Sequence, residues 1–319
     1  VVWRLLLLSP LYERWWPLQL SEVFGSWIYA PLGLLLALAL VARSRWALYA
    51  LIAPALFFGV EYGRQFLPNQ HITPVYANSG LPLRVLTWNM HYTADTNDEF
   101  HSFVAELKPD VIALQELSLR MTRRFGETLR ETYPHQALHT GSHTGGLALL
   151  SRYPVRVAPS PARPFICQCL VVEADIEGRT ATFIVVHIWR PSIQFELQES
   201  FLGVQQFSYR YQTPVFDQLL QQMDMVDGPL VVLGDFNTTE RQPNYRRLRT
   251  QLEDAFAQAG WGMGYTFPSN ARIRGWRVPP LIRIDHILIN RDWQAKAAWT
   301  GGLPPSDHNY VVADLVLRP

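Results

Sequence analysis

Charged side chains are scarce in this chain. Asp, Glu, Lys and Arg make up 17% of its 319 residues, against about 25% in an ordinary soluble domain. The shortage is local. No charge occurs from Ser26 to Ala42, and none from Ala47 to Val60. The formal net charge is only +1, which excludes recruitment of nucleic acid by a strong overall field. Cysteine is nearly absent: Cys167 and Cys169 are the two present. Cysteines this close together in a strand-like run rarely close an unstrained disulfide. The two therefore read as packing residues and leave the redox compartment open. No internal repeat and no low-complexity tract is present.

The two uncharged runs read as membrane spans. Val23 to Ala42 has about 20 residues, enough to cross a bilayer core, and a membrane helix tolerates Pro31. Trp46 to Tyr62 is a second, shorter run, with aromatic residues at both ends where interfacial rings belong. Arg43 and Arg45 lie in the link between them. The positive-inside rule makes that link cytoplasmic and places everything after about residue 63 on the extracytoplasmic side. The expectation is a multi-pass anchor in the cell (inner) membrane. The competing reading is a buried helical hairpin in a soluble protein. The chain opens on Val1 rather than Met, and the apolar run Val1 to Leu8 reads as the end of an earlier membrane helix. Two successive spans argue against a cleaved signal peptide. Residues 63–82 carry Pro, Asn, Gly and Ser without periodicity, which predicts a linker. The domain organisation expected is an anchor over 1–62, a linker over 63–82 and one globular domain over 83–319.

The globular part is organised around PLVVLGDFNTTE, residues 229–240. The apolar run Leu230 to Leu233 reads as a buried strand ended by Gly234. Asp235 and Asn237 then project from its C-terminal end, where ligand sites form in α/β sheets. An Asx-turn is the plain structural alternative. Strands are expected near 83–90, 108–116, 145–155, 166–174, 181–187, 283–290 and 305–317. Helical spacing covers 97–107, 120–131, 215–226 and 243–258. The result is a mixed α/β domain. Its strands finish at Asn89, Glu116, His187 and Asp235 with Asn237, and the Asp307–His308 pair stands just before the last strand. One edge of the sheets then collects carboxylates, amides and imidazoles.

The ordered series WNM, QE, a strand-final His, GDFN, RIDHI and SDH resembles the endonuclease/exonuclease/phosphatase superfamily, over nearly all of 83–319. The anchor-plus-domain layout is similar to the bacterial membrane branch of teicoplanin-resistance-type proteins. The resemblance implies two mixed β-sheets packed face to face with flanking helices, a four-layer sandwich. It also implies hydrolysis of a phosphate ester, which needs a positioned water and stabilisation of phosphoryl charge. A hard divalent cation, Mg²⁺ or Mn²⁺, supplies the stabilisation. The implied metal ligands are Glu116, Asp307 and Asn89. Asn89 and Asn237 contact the phosphate. Asp235 orients and deprotonates the attacking water. His308, oriented by Asp285, donates to a non-bridging oxygen. His187 protonates the leaving oxygen. Structural roles remain open for Asp285 and His187. His286 faces the other way along its strand. His91 stands where some nuclease members have a metal-binding Asp, and reads as a surface residue. His143 sits in a Gly-rich loop within reach of the site mouth.

The substrate is read from the surroundings. Arg241, Arg246, Arg247 and Arg249, then Arg272, Arg274 and Arg277, form basic clusters that suit an anionic headgroup or a solvated face. The aromatic stretch 191–213, with Phe195, Phe201, Phe207, Tyr209 and Tyr211, reads as a lipid-facing flap or as an ordinary packed loop. Tethering to a membrane raises the local lipid concentration and favours a lipid phosphodiester or pyrophosphate. The alternatives are a membrane-tethered nuclease and a catalytically inactive scaffold subunit of a membrane complex.

Overall fold

Leu230–Leu233 is apolar at every position, so the strand it forms needs cover on both faces. In the computed structural model, which describes residues 2–67, 80–92, 97–140, 145–158, 168–195 and 204–319, it receives that cover. The strands are β1 (Leu81–Asn89), β2 (Val111–Gln115), β3 (His135–His139), β4 (Leu147–Ser151), β5 (Val155–Val157), β6 (Gln168–Ile176), β7 (Arg179–His187), β8 (Ser192–Phe195), β9 (Val204–Ser208), β10 (Leu230–Asp235), β11 (Glu253–Asp254), β12 (Arg272–Ile273), β13 (Trp276–Arg277), β14 (Asp285–Ile289), β15 (Trp293–Gly301) and β16 (Tyr310–Leu317). Two six-stranded sheets result, in the orders β15-β16-β1-β2-β4-β3 and β11-β14-β10-β7-β6-β5.

Alternation along the strands sets the layers. Val231 and Leu233 of β10, Phe183 and Val185 of β7, and Val85, Val111 and Leu149 from the other sheet meet between the sheets. Val232, Ile184 and Val186 point outward, under Phe216 and Leu219 of α8 and Tyr245 and Leu248 of α9. On the opposite side, Leu86, Trp88 and Ile112 pack under α6 and α7 through Phe100, Val104, Met121 and Phe125. These helices span Asn97–Leu107 (α6), Leu119–Thr128 (α7), Thr213–Asp224 (α8) and Pro243–Leu248 (α9). The architecture is the expected two-sheet α/β sandwich in four layers.

Three local readings are corrected. The helix expected over 243–258 is two short helices, α9 and α10 (Ala255–Ala259), separated by β11. Trp293–Gly301, not expected as a strand, forms β15 against β16 with a bulge between Ala295 and Ala297. Cys169 is disulfide-bonded as well as packed on the outer core of the second sheet. Regular strand geometry was the ground for expecting otherwise, but β6 begins only at Gln168. Cys167 lies outside the described residues.

The N-terminal segment folds as α1 (Val2–Leu7), α2 (Leu11–Arg14), α3 (Trp16–Val23), α4 (Pro31–Val41) and α5 (Arg45–Tyr62). The span expected over Val23 to Ala42 is not one continuous α-helix: Val23 ends α3, a 3₁₀ segment covers Gly25–Tyr29, and α4 starts at Pro31. The helical pieces Trp16–Val23 and Gly25–Val41 diverge by 82°. Helix α4 alone has 11 residues, about 16 Å at the α-helical rise, short of a bilayer core. Among the described residues one helix, Arg45–Phe66, is long and apolar enough to cross a membrane; the bent pair is a second only if taken as one span. The buried-hairpin alternative fails. Leu34, Leu38, Trp46, Ile52, Leu56 and Val60 of the α4–α5 pair are all exposed.

The segment is also fastened to the sandwich. Leu7, Tyr12 and Leu18 bury against Phe207 and Tyr209. Glu22, with 1% of its side chain exposed, pairs with Arg246 at 2.9 Å. Glu61 pairs with Arg4 at 2.7 Å and with Arg241 at 3.2 Å. Arg241 and Arg246 are therefore committed internally, and Arg247 and Arg249 pair with Asp217 and Glu253. All four arginines of this cluster are thus ion-paired within the chain. Phe207 and Tyr209 likewise cover the N-terminal segment rather than the site, while Tyr211 is exposed. Phe201, His143 and residues 68–79 of the expected linker lie outside the described residues.

Candidate active site

The topology brings strand ends from both sheets to one edge. Within the first sheet β1 and β2 run parallel, pairing Asn89 with Gln115, so Asn89 and Glu116 emerge together. Within the second, β7 and β10 run parallel, pairing His187 with Asp235. Strand β14 returns antiparallel and sets Asp285 opposite Asp235. Gly234 is required here. Its φ is +140°, and a Cβ would lie 2.0 Å from the carbonyl oxygen of Val186. Glu116 (φ 54°), Asn237 (φ 47°) and His91 (φ 52°) occupy the left-handed region, a cost that clusters at functional sites.

Contacts within each sheet fix this edge. Trp88 Nε1 donates to the carbonyl of His308 at 2.9 Å, and Ser306 Oγ donates to the carbonyl of Asn89 at 2.7 Å. Arg283, beside Asp285, is buried and pairs with Asp254 at 2.8 Å. The WNM and SDH segments thereby hold each other in place, and RIDHI is anchored to β11.

Glu116, His187, Asp235, Asn237, Asp307 and His308 all line one cavity of about 500 Å³. Asn89 is buried beneath it. Its amide donates to Glu116 Oε1 at 3.1 Å and to Asp235 Oδ2 at 3.0 Å, while its oxygen accepts from the His91 backbone N–H. Asn89 thus turns its NH₂ group, not its oxygen, to the carboxylates. Asn237 donates to Asp235 Oδ2 and to the carbonyl of Ile188. His187 Nε2 lies 3.3 Å from Glu116 Oε1 and 3.8 Å from Asp235 Oδ2. His308 Nδ1 lies 2.9 Å from Asp285 Oδ2. His286 is fully buried, bonds to the carbonyl of Thr238 and stays out of the cavity.

Electrostatics follow from this crowding. Burial pushes Glu116 up, but hydrogen bonds from His187 and Asn89 outweigh it and hold the carboxyl down at about 2. Burial, then the neighbouring Asp285 charge, pushes Asp235 up to about 6 against the pull of His308 and His187. Burial opposes a charge on His308, yet Asp285 and Asp235 raise it to about 10. His187 is raised as well: burial opposes this, and the Glu116 hydrogen bond and Asp235 charge prevail.

Two groups have the composition of a metal site. Ligand atoms of Glu116, His187 and Asp235 lie within 4.8 Å of one another, and so do those of Asp235, Asp285 and His308. Hard carboxylate oxygens dominate, which suits a hard divalent cation. Asp307 lines the same cavity but belongs to neither group.

The rim holds residues that motif reading did not single out: Tyr92, Trp189, Arg190 and Phe267. Trp189 is 52% exposed, and the Phe267 ring packs 4.9 Å from that of His308. His91 joins them at the cavity mouth rather than on open surface. Trp189 and Arg190 follow the strand-final His187 by two and three residues, which is the signal that could have found them. A larger cavity, about 1010 Å³, lies between α3 and the β8–β9 hairpin, away from these carboxylates.

The family model described as Endonuclease/Exonuclease/phosphatase family matches residues 86–308, spanning every one of these strand ends. The chain belongs to the endonuclease/exonuclease/phosphatase family. That family is hydrolytic, made up of nucleases and phosphatases, and is generally dependent on a divalent metal. Solved structures share the fold. An endonuclease/exonuclease/phosphatase from Bacteroides vulgatus is 20% identical, with a TM-score of 0.54, covering 75% of this chain and 100% of that one. TDP2 of D. rerio complexed with a single-strand DNA product is 15% identical, with a TM-score of 0.55 and coverage of 73% and 98%. The 3′ phosphatase NExo from Neisseria, bound to a product DNA hairpin, is 21% identical, with a TM-score of 0.52 and coverage of 72% and 98%. No curated protein sequence matches the chain.

Proposed function

We propose that this chain is a membrane-anchored, divalent-metal-dependent phosphoesterase that hydrolyses a phosphodiester or pyrophosphate of a lipid on the extracytoplasmic side. The organisation proposed is an anchor over 1–62, a linker over 63–82 and a catalytic domain over 83–319. One observation carries the reading: an ionised Glu116, a proton-poised Asp235 and two imidazoles converge on one cavity. Glu116 would hold the cation, with Asp307 of the same cavity completing the set. When bound, Mg²⁺ or Mn²⁺ supplies Lewis-acid stabilisation of charge on the phosphoryl oxygens.

The residues divide the remaining work. Asp235, once ionised, accepts a proton from the attacking water. Asn89 fixes the positions of Glu116 and Asp235, and Asn237 steadies Asp235 and the phosphate. His308, held cationic by Asp285, donates to a non-bridging oxygen. His187 protonates the leaving oxygen. The exposed apolar α4–α5 pair supports a lipid neighbourhood.

A second reading, a nuclease, is favoured by the DNA products bound to the two neighbours above. One assay separates them: purified full-length protein, with EDTA or added Mg²⁺, against a lipid pyrophosphate, sphingomyelin and plasmid DNA in parallel. Metal-dependent turnover of a lipid is expected. Turnover of DNA alone replaces this reading with the second, and turnover that survives EDTA overturns the metal assignment.

A further inference from the structure

The second basic cluster, unlike the first, is not used internally. Arg272 and Arg277 are partners across the β12–β13 hairpin, Ile273 pairs with Trp276, and Arg274–Gly275 makes the turn. Both turn residues have positive φ, 50° and 84°, as a tight two-residue hairpin turn requires. All three arginines are exposed, and none has a carboxylate partner among the described residues. Arg277 does donate to Asn270 Oδ1 at 3.1 Å. Like charges directly opposite on a two-stranded ribbon repel. Trp276 between them is 81% exposed. An unshielded cation pair, a third cation at the tip and an exposed indole are a poor free surface and a good receptor for anions beside apolar matter.

The roots of the hairpin say where it works. On one side Asn270 Nδ2 donates to the carbonyl of Ser306 at 2.9 Å, and the Ser269 N–H donates to that of Asp307 at 2.6 Å. The hairpin therefore grows from the catalytic rim. On the other side Trp27 donates to the carbonyl of Leu281 at 2.6 Å and stacks on Tyr265 at 5.9 Å. Trp27 lies one turn before α4, the first arm of the exposed apolar pair. The hairpin thus stands between the cavity and the base of the anchor.

We propose that the β12–β13 hairpin is a docking surface for the anionic lipid headgroups of the bilayer that holds α4–α5. Arg272, Arg274 and Arg277 bind headgroup phosphates, and Trp276 enters the interface. This seats the rim formed by Asp307, His308 and Phe267 against the membrane. The proposal rests on the membrane-anchored reading above. DNA would also meet the arginines, but it gives no account of the adjoining apolar helices.

The test uses full-length protein in vesicles of phosphatidylcholine alone or mixed with phosphatidylglycerol, with brominated acyl chains as tryptophan quencher. The difference between the wild type and Trp276→Phe isolates this indole among the eleven tryptophans. Quenching of Trp276 is expected in anionic vesicles, with loss of it in phosphatidylcholine alone, at high salt and in the triple variant Arg272→Gln, Arg274→Gln, Arg277→Gln. Equal quenching in both vesicles, or quenching that survives the triple variant, overturns the proposal. Binding of a labelled oligonucleotide that the triple variant abolishes, with Trp276 unquenched in anionic vesicles, also overturns it and makes the hairpin a nucleic-acid clamp. Retention of the protein in vesicles after an alkaline wash is scored separately. Its failure sinks the anchor itself, whereas retention without quenching sinks only the docking.

Discussion

Asp285 Oδ2 lies 2.9 Å from His308 Nδ1, and the far nitrogen of the same ring lies 3.9 Å from Asp235 Oδ2. One imidazole is therefore held between two buried carboxylates. Its raised value means the folded state favours the cation. The stability this contributes is complete below the ordinary 6.5 and is lost as pH rises through about 10. Asp285→Asn removes the nearer charge. The expected outcome is a fall in kcat of about 10²-fold, in the range for a misplaced acid, with KM little changed and the basic limb of the pH profile moved to lower pH. Melting temperature against pH should lose its alkaline slope in parallel. An unmoved basic limb would mean that Asp285 only fills space.

Asp235 shifts the other way for a carboxylate. Burial and Asp285 raise it to about 6, so the folded state holds its proton more tightly than the unfolded chain. The stability tied to that proton is present below the ordinary 3.8 and is lost as pH rises through about 6. As the base, Asp235 acts only when ionised. kcat/KM should therefore climb with pH through an acid limb near 6 when metal is limiting. Saturating Mg²⁺ adds positive charge and should move that limb lower. Rates measured across pH at two metal concentrations check this, and an upward shift would remove Asp235 from the role.

Glu116 is ionised throughout the working range, with its value held near 2. Glu116→Gln keeps the shape and still accepts from Asn89 Nδ2, so the circular dichroism spectrum should not change. Divalent-ion affinity by titration calorimetry should weaken about tenfold or more, roughly 1.4 kcal/mol or above, and turnover should vanish. Full turnover in this variant would move the cation elsewhere in the cavity.

How much of this was legible depends on how local each signal is. The runs Leu230 to Leu233 and Phe183 to Val186 are apolar on both faces and lead to a polar residue, so their place in a buried sheet and their functional ends could be read directly. The meeting of Asp285 with His308 came from family motifs, because no local rule joins residues 23 apart. Strand Trp293–Gly301 was missed because its alanines have weak β-propensity and only pairing with β16 makes it a strand. The span over Val23 to Ala42 was misread as one continuous helix because hydropathy reports composition and not the break at Phe24 or the 3₁₀ segment that follows it. The docking of the N-terminal segment had a visible sign that went unused: Glu22 and Glu61 border apolar runs, where an unpaired carboxylate would be costly.

That docking gives the last prediction. Arg241 has 14% of its side chain exposed and Glu61 has 8%, at 3.2 Å. Arg241 Nε also donates to Tyr62 Oη at 2.6 Å, and its guanidinium sits 4.3 Å from the centre of that ring. Arg241→Ala removes all three contacts and leaves Glu61 with Arg4, itself more exposed, and with the hydroxyl of Tyr29 at 3.3 Å. Breaking one side of a buried pair costs about 3–5 kcal/mol, and Arg4 offsets part of it. The loss should be local. Amide hydrogen exchange over residues 2–29 should speed up by at least tenfold, while β7 and β10 keep their protection. Arg241→Lys keeps the charge but not the planar stacking and should fall between the two. If exchange over 2–29 is unchanged in Arg241→Ala, the apolar cluster of Leu7, Tyr12 and Leu18 on Phe207 and Tyr209 holds the segment by itself, and the ion pairs only orient it.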